Sequence, residues 1–381
     1  MLKHLDPIKA AVFSGLVFAI GSILTPPAHA QTTIPVGICQ STAQGPAKFA
    51  TALWKGAELV LQSANASAGA DGIKLEPVPV DIGNNDPAQA RLSFNKAFQV
   101  NKIQALICWG TNVMVQNGSL IDEAGVAAFT TSSGVNVVKN SKLTQQIEAV
   151  TTLQCAVAAK HVKERYPEVK TFGILYVNYE FGIEMRDQCE IEFGKVGIKL
   201  VAAEGHPNAP ADLRAQTTKI LEAKPDAIYL APIGGGTVPL GIRAGRELGF
   251  KGLFITYTAG DTPDVYNLKL AENNFFFVSH DVPEGAPQSV HEATKSYGGY
   301  VGMGYDFAWI VTSLAQQLKQ EGKEISGRNL ITKLREIQTV KTPVNEYRFL
   351  PDGNTVRPLA LFSVAGGGRK LEQSLTPSQL Q

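Results

Sequence analysis

The chain has 381 residues, enough for two domains of ordinary size. Hydrophobic residues make up 44% and charged residues 18%, a globular balance that excludes a disordered chain. Net charge is +1, and setting aside Lys3, Lys9 and Asp6 of residues 1–30 leaves acids and bases equal, so no field for nucleic acid or an anionic membrane arises.

Residues 1–30 read as a leader. Lys3 and Lys9 give a basic start, 10–24 is an apolar run, Thr25-Pro26-Pro27 breaks it, and Ala28-His29-Ala30 is a small-x-small cleavage site. This is the pattern of a secretory signal peptide, with the mature chain expected from Gln31. The run is short of the roughly 20 residues a membrane span needs. No cysteine stands beside the cleavage site, so no lipid anchor is expected, and the expected compartment is the periplasm or its equivalent.

The mature chain alternates short apolar runs with amphipathic stretches. Residues 34–39 read as a strand, and 47–65 as a helix with Phe49, Leu53, Leu59 and Val60 among its apolar positions. Strand 73–80 carries Pro77 and Pro79, which suits a sheet edge. Asp86-Pro87 opens the next helix, as cap and first turn. Strand 103–108 ends in Trp109-Gly110-Thr111-Asn112, which opens a helix to Ala124-Gly125; strand 126–129 ends in Thr130-Thr131-Ser132-Ser133-Gly134. In an open parallel sheet such ends share one edge, and ligands bind there.

A second series follows Asn140: helix 144–166, strand 171–177 closed by Asn178-Tyr179-Glu180-Phe181-Gly182, a helix to Phe193, strand 198–203 and helix 212–223. Strand 226–231 ends in Pro232-Ile233-Gly234-Gly235-Gly236. Helix 240–248, strand 253–257 closed by Thr258-Ala259-Gly260-Asp261, and strand 275–280 complete it. Helices 305–321 and 329–337, then strands 344–349 and 358–364 around Pro351-Asp352-Gly353-Asn354, form a tail too small to fold alone. The reading is α/β: two doubly wound parallel-sheet lobes.

Four cysteines in an exported chain can pair. Cys155 and Cys189 lie in consecutive predicted helices and are expected to bridge, a stabilisation of roughly 3–4 kcal/mol. Cys39 and Cys108 each end a predicted strand, as two buried thiols or as a second bridge. No C-x-x-C or H-x-x-x-H spacing occurs, so neither a metal nor a cofactor is expected.

The glycine run 233–236 lacks the Gly-Lys-Ser/Thr ending of a phosphate loop and the G-x-G-x-x-G fingerprint. No G-x-S-x-G elbow stands near Ser132-Ser133, and His206, His280 and His291 read as surface or loop residues. Asp81, Asp261 and Asp281 near strand ends leave two-carboxylate hydrolysis open, with turn chemistry as the plainer account. Thr111, Ser132 and Ser133 set hydroxyls and N–H groups at strand ends and helix starts, where a carboxylate is well held, unless they only cap helices. Phe49, Trp109, Tyr179, Phe181 and Tyr257 fall at turn ends, where they wall a pocket or close a core.

Phe49 with Lys55-Gly56-Ala57, Asp81 before Asp86-Pro87, the Thr111 and Thr131–Gly134 turns, Tyr179-Glu180-Phe181-Gly182, Lys224-Pro225-Asp226-Ala227-Ile228, Tyr305-Asp306 and Phe349-Leu350-Pro351-Asp352-Gly353 carry a resemblance in their order and spacing. Over nearly all of its mature length the chain resembles type I periplasmic solute-binding proteins of the leucine/isoleucine/valine-binding and amide-binding kind. The resemblance implies two lobes joined by three crossovers near Asn140, Gly285 and Thr342. Lobe 1 would be 31–139 plus 285–342, lobe 2 140–284 plus 343–376, and 377–381 a tail. It implies a ligand-binding set of Phe49, Trp109, Thr111, Ser132, Ser133, Gly134, Tyr179, Phe181, Gly234, Thr258 and Asp261. In it Thr111 and 132–134 would meet a carboxylate, Phe181 would stack and Phe49 would cover the guest. Amino-acid binders of the family pair the ammonium with an acid on lobe 2; here Tyr257-Thr258-Ala259-Gly260 fills that stretch and Asp261 comes late. Asp261 therefore reaches in, or the guest has no ammonium. The implied function is a monomeric receptor, not an enzyme, for a branched-chain-type ABC importer, delivering a small carboxylate, amide or amino acid to an inner-membrane permease. A sensor feeding a membrane regulator and a secreted hydrolase are the alternatives.

Overall fold

The computed structural model describes residues 31–41, 44–67, 72–208, 210–232 and 236–380; the leader at 1–30 and Gly234 lie outside the described residues. Strand β1 (Thr32–Gln40) leads to helix α1 (Gln44–Ser67), and β2 (Ile73–Asp81) to α2 (Pro87–Gln99). With β3 (Ala105–Cys108), α3 (Thr111–Ala124), β4 (Ala127–Thr130) and β5 (Thr144–Gln146) they form a parallel sheet in the order β2-β1-β3-β4-β5. Asp86 accepts from the Ala88 and Gln89 N–H groups and caps α2, while Pro87 occupies its first turn. Pro77 and Pro79 sit on the edge strand, where a missing donor breaks little of the ladder.

The second unit opens with α4 (Thr151–Arg165), β6 (Thr171–Val177), α5 (Glu180–Lys195) and β7 (Lys199–His206). It continues through α6 (Arg214–Glu222), β8 (Ala227–Ala231), α7 (Thr237–Glu247), β9 (Leu253–Thr256), α8 (Pro263–Tyr266) and β10 (Phe275–Ser279). Helices α9 (Gln288–Tyr297), α10 (Tyr300–Gln320) and α11 (Gly327–Ile337) return to the first unit. There α10 crosses α1 closely: a Cβ on Gly56 would lie 1.9 Å from the Val301 carbonyl oxygen, and one on Gly304 2.0 Å from that of Leu53. Strands β11 (Thr339–Lys341), β12 (Glu346–Phe349) and β13 (Thr355–Val356) make a small antiparallel sheet. Strand β14 (Leu359–Ala365) adds antiparallel to β10 and β15 (Gly368–Leu375) antiparallel to β14, giving the order β15-β14-β10-β9-β8-β6-β7. Among the described residues no helix is long and apolar enough to cross a membrane.

Three expectations are corrected. Residues 144–146, read as the start of a helix, form β5. The Asp122 carboxylate takes the Lys142 and Leu143 N–H groups and the Ser141 hydroxyl, holding the approach extended. The crossovers fall elsewhere: the chain leaves the first sheet after Gln146, not near Asn140, and the small sheet held to the first unit runs on to Val356, past Thr342. Residues 343–356 stay with the first unit because the Gln146 N–H and Gln145 side-chain amide both donate to the Gly353 carbonyl. Finally, β15 escaped the pattern because its residues are mostly exposed on a sheet edge and carry no apolar alternation. Both cysteine pairs are disulfides: Cys155–Cys189 ties α4 to α5, and Cys39–Cys108 ties the ends of neighbouring β1 and β3.

Candidate functional site

Strand order in the first sheet reverses between β1 and β3, and in the second between β6 and β8. Open α/β sheets take ligands in the crevice beyond such points. Here the two crevices face each other and line a cavity of about 40 Å³, against roughly 10–15 Å³ for one water on the same measure. The first unit contributes Phe49, Trp109-Gly110-Thr111, Thr131-Ser132-Ser133 and Tyr300; the second contributes Phe181 and Tyr257.

The polar end is built by two turns. Gly110 has φ 87° and ψ 101°, a conformation that suits glycine, and no side chain caps α3 behind it. The first N–H groups of α3 and its positive end thus meet the cavity at Thr111. After β4, the Thr131 N–H donates to the Cys108 carbonyl and the Ser132 N–H to the Thr130 hydroxyl, both at 3.0 Å. The Gln146 side-chain amide donates to the Ser132 and Gly134 carbonyls at 2.9 and 3.0 Å, and the Thr151 N–H takes the Ser133 carbonyl at 2.9 Å. The Ser132, Ser133 and Gly134 carbonyls are occupied, whereas Trp109 Nε1, Thr131 Oγ1 and Ser132 Oγ are buried without a partner. Such orphans in a folded protein call for an explanation, and a guest supplies one.

The apolar walls are two ring pairs, Phe49–Tyr300 at 4.4 Å and Phe181–Tyr257 at 5.3 Å between centroids. The Tyr257 hydroxyl donates to the Pro232 carbonyl. Burial holds the Tyr257 and Tyr300 phenols well above their ordinary range, so both are neutral.

Among the described residues no charged side chain lines the cavity. Three acids stand close to its walls: Glu184 and Asp261 are engaged elsewhere, and Glu148 is engaged through Oε1 while its Oε2 is buried without a partner. Glu148 Oε1 lies 2.8 Å from His280 Nε2 and accepts the Ala149 N–H. Glu184 reaches from α5 to the Val135 N–H at 3.0 and 3.2 Å and accepts the Thr151 hydroxyl. Burial raises its carboxyl pKa, against the pull of those hydrogen bonds. Asp261 accepts from Arg369 Nη1 at 2.7 Å, from the Ser279 hydroxyl at 2.5 Å and from the Tyr266 hydroxyl.

A family model described as periplasmic binding protein matches residues 33–369. The chain belongs to that family. Solved periplasmic binding proteins share its fold. A leucine binding protein from Thermotoga maritima is 16% identical with TM-score 0.80, over 91% of this chain and 99% of its own. A Rhodopseudomonas palustris solute-binding protein of an ABC transporter, solved with 4-hydroxybenzoate, is 17% identical with TM-score 0.79, over 90% and 97%. A Streptococcus pneumoniae branched-chain amino acid transporter substrate-binding protein, solved with isoleucine, is 19% identical with TM-score 0.75, over 91% and 99%. No curated protein sequence matches the chain.

In this periplasmic binding protein, Phe49, Trp109, Thr111, Ser132, Ser133 and Phe181 of the sequence-derived set gather at the cavity. Gly134 lies just behind it: a Cβ there would stand 2.6 Å from Thr111 Cγ2, so glycine lets the turn close on α3. Tyr179 lies instead in a larger polar groove of about 840 Å³ with Asn84, Asn85, Asp86 and Asn112. Thr258 is buried beside Tyr257 with its hydroxyl unpartnered, and is not among the residues that line the cavity. Asp261 does not reach in, because Arg369 from β15 holds it. His206 ends strand β7 and His280 lies in the loop after β10; both are buried at 2% exposure, so neither is a surface group. Tyr300 was missed. The Gly298-Gly299 pair before it marks a helix start, and that pair could have pointed to it.

Proposed function

We propose that the protein is the solute receptor of an ABC importer of the branched-chain amino acid type, exported through a cleaved leader and acting as a monomer. Its two lobes close on a small carboxylate, amide or amino acid, and the closed form is handed to an inner-membrane permease; no bond is made or broken. One observation carries this: unpartnered buried donors from one lobe face aromatic walls from both across a closed gap. Thr111, Ser132 and Ser133 with the start of α3 would hold an anionic or carbonyl oxygen, and Phe49, Trp109, Phe181, Tyr257 and Tyr300 would cover the apolar body. Gly134 would shape the wall behind Thr111.

Closure is supported by bonds that span the gap. Lys48 of α1 pairs with Asp264 of α8, Glu184 of α5 accepts the Val135 N–H, and the Asn208 amide donates to the Asn84 carbonyl at 3.1 Å. A guest touching both lobes has the differential affinity for the closed state that moves a hinge equilibrium. The test is a melting-temperature screen of the purified protein against amino acids, aromatic acids, short-chain acids and amides. A hit raises the midpoint in proportion to ln(1 + [L]/Kd). No hit in any class, with a folded protein, refutes the receptor reading.

A further inference from the structure

We propose that the guest is a compact apolar carboxylic acid that carries no ammonium group; this rests on the receptor reading above. The argument is a count of donors and acceptors. An ammonium brings three N–H donors and a full charge against buried walls, and needs anionic or carbonyl oxygens that are free to accept. The cavity has few to give. The Ser132 and Gly134 carbonyls accept from Gln146, that of Ser133 from Thr151, and that of Pro232 from Tyr257. Glu184 and Asp261 serve their own partners. Glu148 gives Oε1 to Ala149 and His280; its Oε2 is buried without a partner, but Glu148 is not among the residues that line the cavity. Asp264, across the gap, is paired with Lys48. Residues 42–43 and 233–235 are Thr, Ala, Ile, Gly and Gly, so they hold no further acid.

Donors, by contrast, are in surplus. Trp109 Nε1 can only donate, and it is buried and unbonded, as are the Thr131 and Ser132 hydroxyls. The α3 N-terminus adds backbone N–H groups and a positive end to the same wall. A carboxylate satisfies these groups with two oxygens and about four lone-pair sites. An amide brings two N–H donors, for which the cavity offers only neutral hydroxyl oxygens as free side-chain acceptors, and it leaves the donor surplus less well satisfied than a carboxylate does. The ring pairs Phe49–Tyr300 and Phe181–Tyr257 supply apolar surface for the rest of the molecule.

The test compares compounds that share a carbon skeleton and differ in the α-ammonium. Titration calorimetry and melting shifts of the purified protein are measured with 4-methylpentanoate against leucine, and phenylacetate against phenylglycine. Phenylacetamide and glycine betaine are added to the set. The expected result is that at least one of the two acids binds, at least tenfold tighter than its amino counterpart and than the amide. Equal or tighter binding of leucine or phenylglycine overturns this inference and leaves the receptor reading standing. Preference for the amide or for glycine betaine, whose cation the aromatic rings would have to hold, overturns it too. Silence from all six compounds overturns it as well; the receptor reading then falls only if the wider screen is also silent.

Discussion

Gly110→Ala tests whether the turn after β3 aims the start of α3 into the cavity. Two costs follow from the geometry. The backbone at φ 87° and ψ 101° lies outside the regions open to side-chain-bearing residues, a strain on the order of 1–3 kcal/mol. The new Cβ would also stand 1.7 Å from Asn85 Oδ1 and 2.8 Å from Asn85 Cγ, so something must shift. Asn85 is only 2% exposed and itself has φ 58°, which limits its room to yield. Overpacking of this kind adds roughly 1–3 kcal/mol. The variant should therefore lose roughly 2–6 kcal/mol of stability in the first lobe. Gly249→Ala is the control: φ there is +88°, nothing lies within 4 Å of an added Cβ, and it sits after α7, far from the turn in sequence. It should show the backbone cost alone. Urea unfolding followed by tryptophan fluorescence and calorimetric titration with whichever solute the screen identifies give both readouts. Gly110→Ala should lose at least tenfold in affinity, and Gly249→Ala less than twofold. Equal stability losses in the two variants, with affinity intact in both, would refute the claim that this glycine places the helix end.

Thr111→Ala should weaken solute binding about three- to tenfold, one hydrogen bond's worth, with an unchanged melting temperature without solute. The disulfides close loops of 69 and 34 residues, so Cys39→Ala/Cys108→Ala and Cys155→Ala/Cys189→Ala should lose about 4.4 and about 3.8 kcal/mol in denaturant unfolding. Only the first pair should also weaken binding, because Cys108 adjoins Trp109 of the cavity. Acid should destabilise the protein through His161, His206 and His280, whose pKa values burial depresses. Around them, Arg165 lowers and Glu164 and Glu372 raise the value at His161, Arg357 lowers and Glu148 and Asp261 raise it at His280, and the Pro207 carbonyl raises it at His206. A depressed base folds best neutral, so this stability is complete above the unfolded value of about 6.5 and is lost as pH falls through the lower folded values. Melting temperatures between pH 8 and pH 5 should fall on the acid side, and His206→Gln should make that fall shallower.

The parts of the fold legible in the sequence are those governed by neighbours along the chain. Strand β6 shows its full length as an apolar run, Asp86-Pro87 marks a helix start by its own capping chemistry, and Pro77 and Pro79 place β2 on an edge. The turns at 109–111 and 131–133, which line the cavity, are visible because they carry small and hydroxyl residues that a core would not choose. Charges tell less by themselves. Asp261 beside a strand end reads as a group for a guest, yet its partner Arg369 stands 108 residues away on an exposed strand with no apolar rhythm. The hinge shows the same limit. Glu148 follows β5, His280 follows β10 and Arg357 follows β13, so each crossover delivers one ionisable group. Glu148 and His280 meet at 2.8 Å, and Arg357 Nη1 donates to the Ile147 carbonyl at 2.7 Å with its guanidinium over Tyr347. Asp306 of α10 lies behind that ring, bonded to the Tyr347 hydroxyl, and burial raises its carboxyl pKa. Separating buried partners costs far more than the pair contributes when formed. On the proposed closing motion, three chain crossings pinned at one buried cluster would make sliding costly while leaving rotation about it open. That is the motion a two-lobed clamp needs, and no single segment of the sequence contains it.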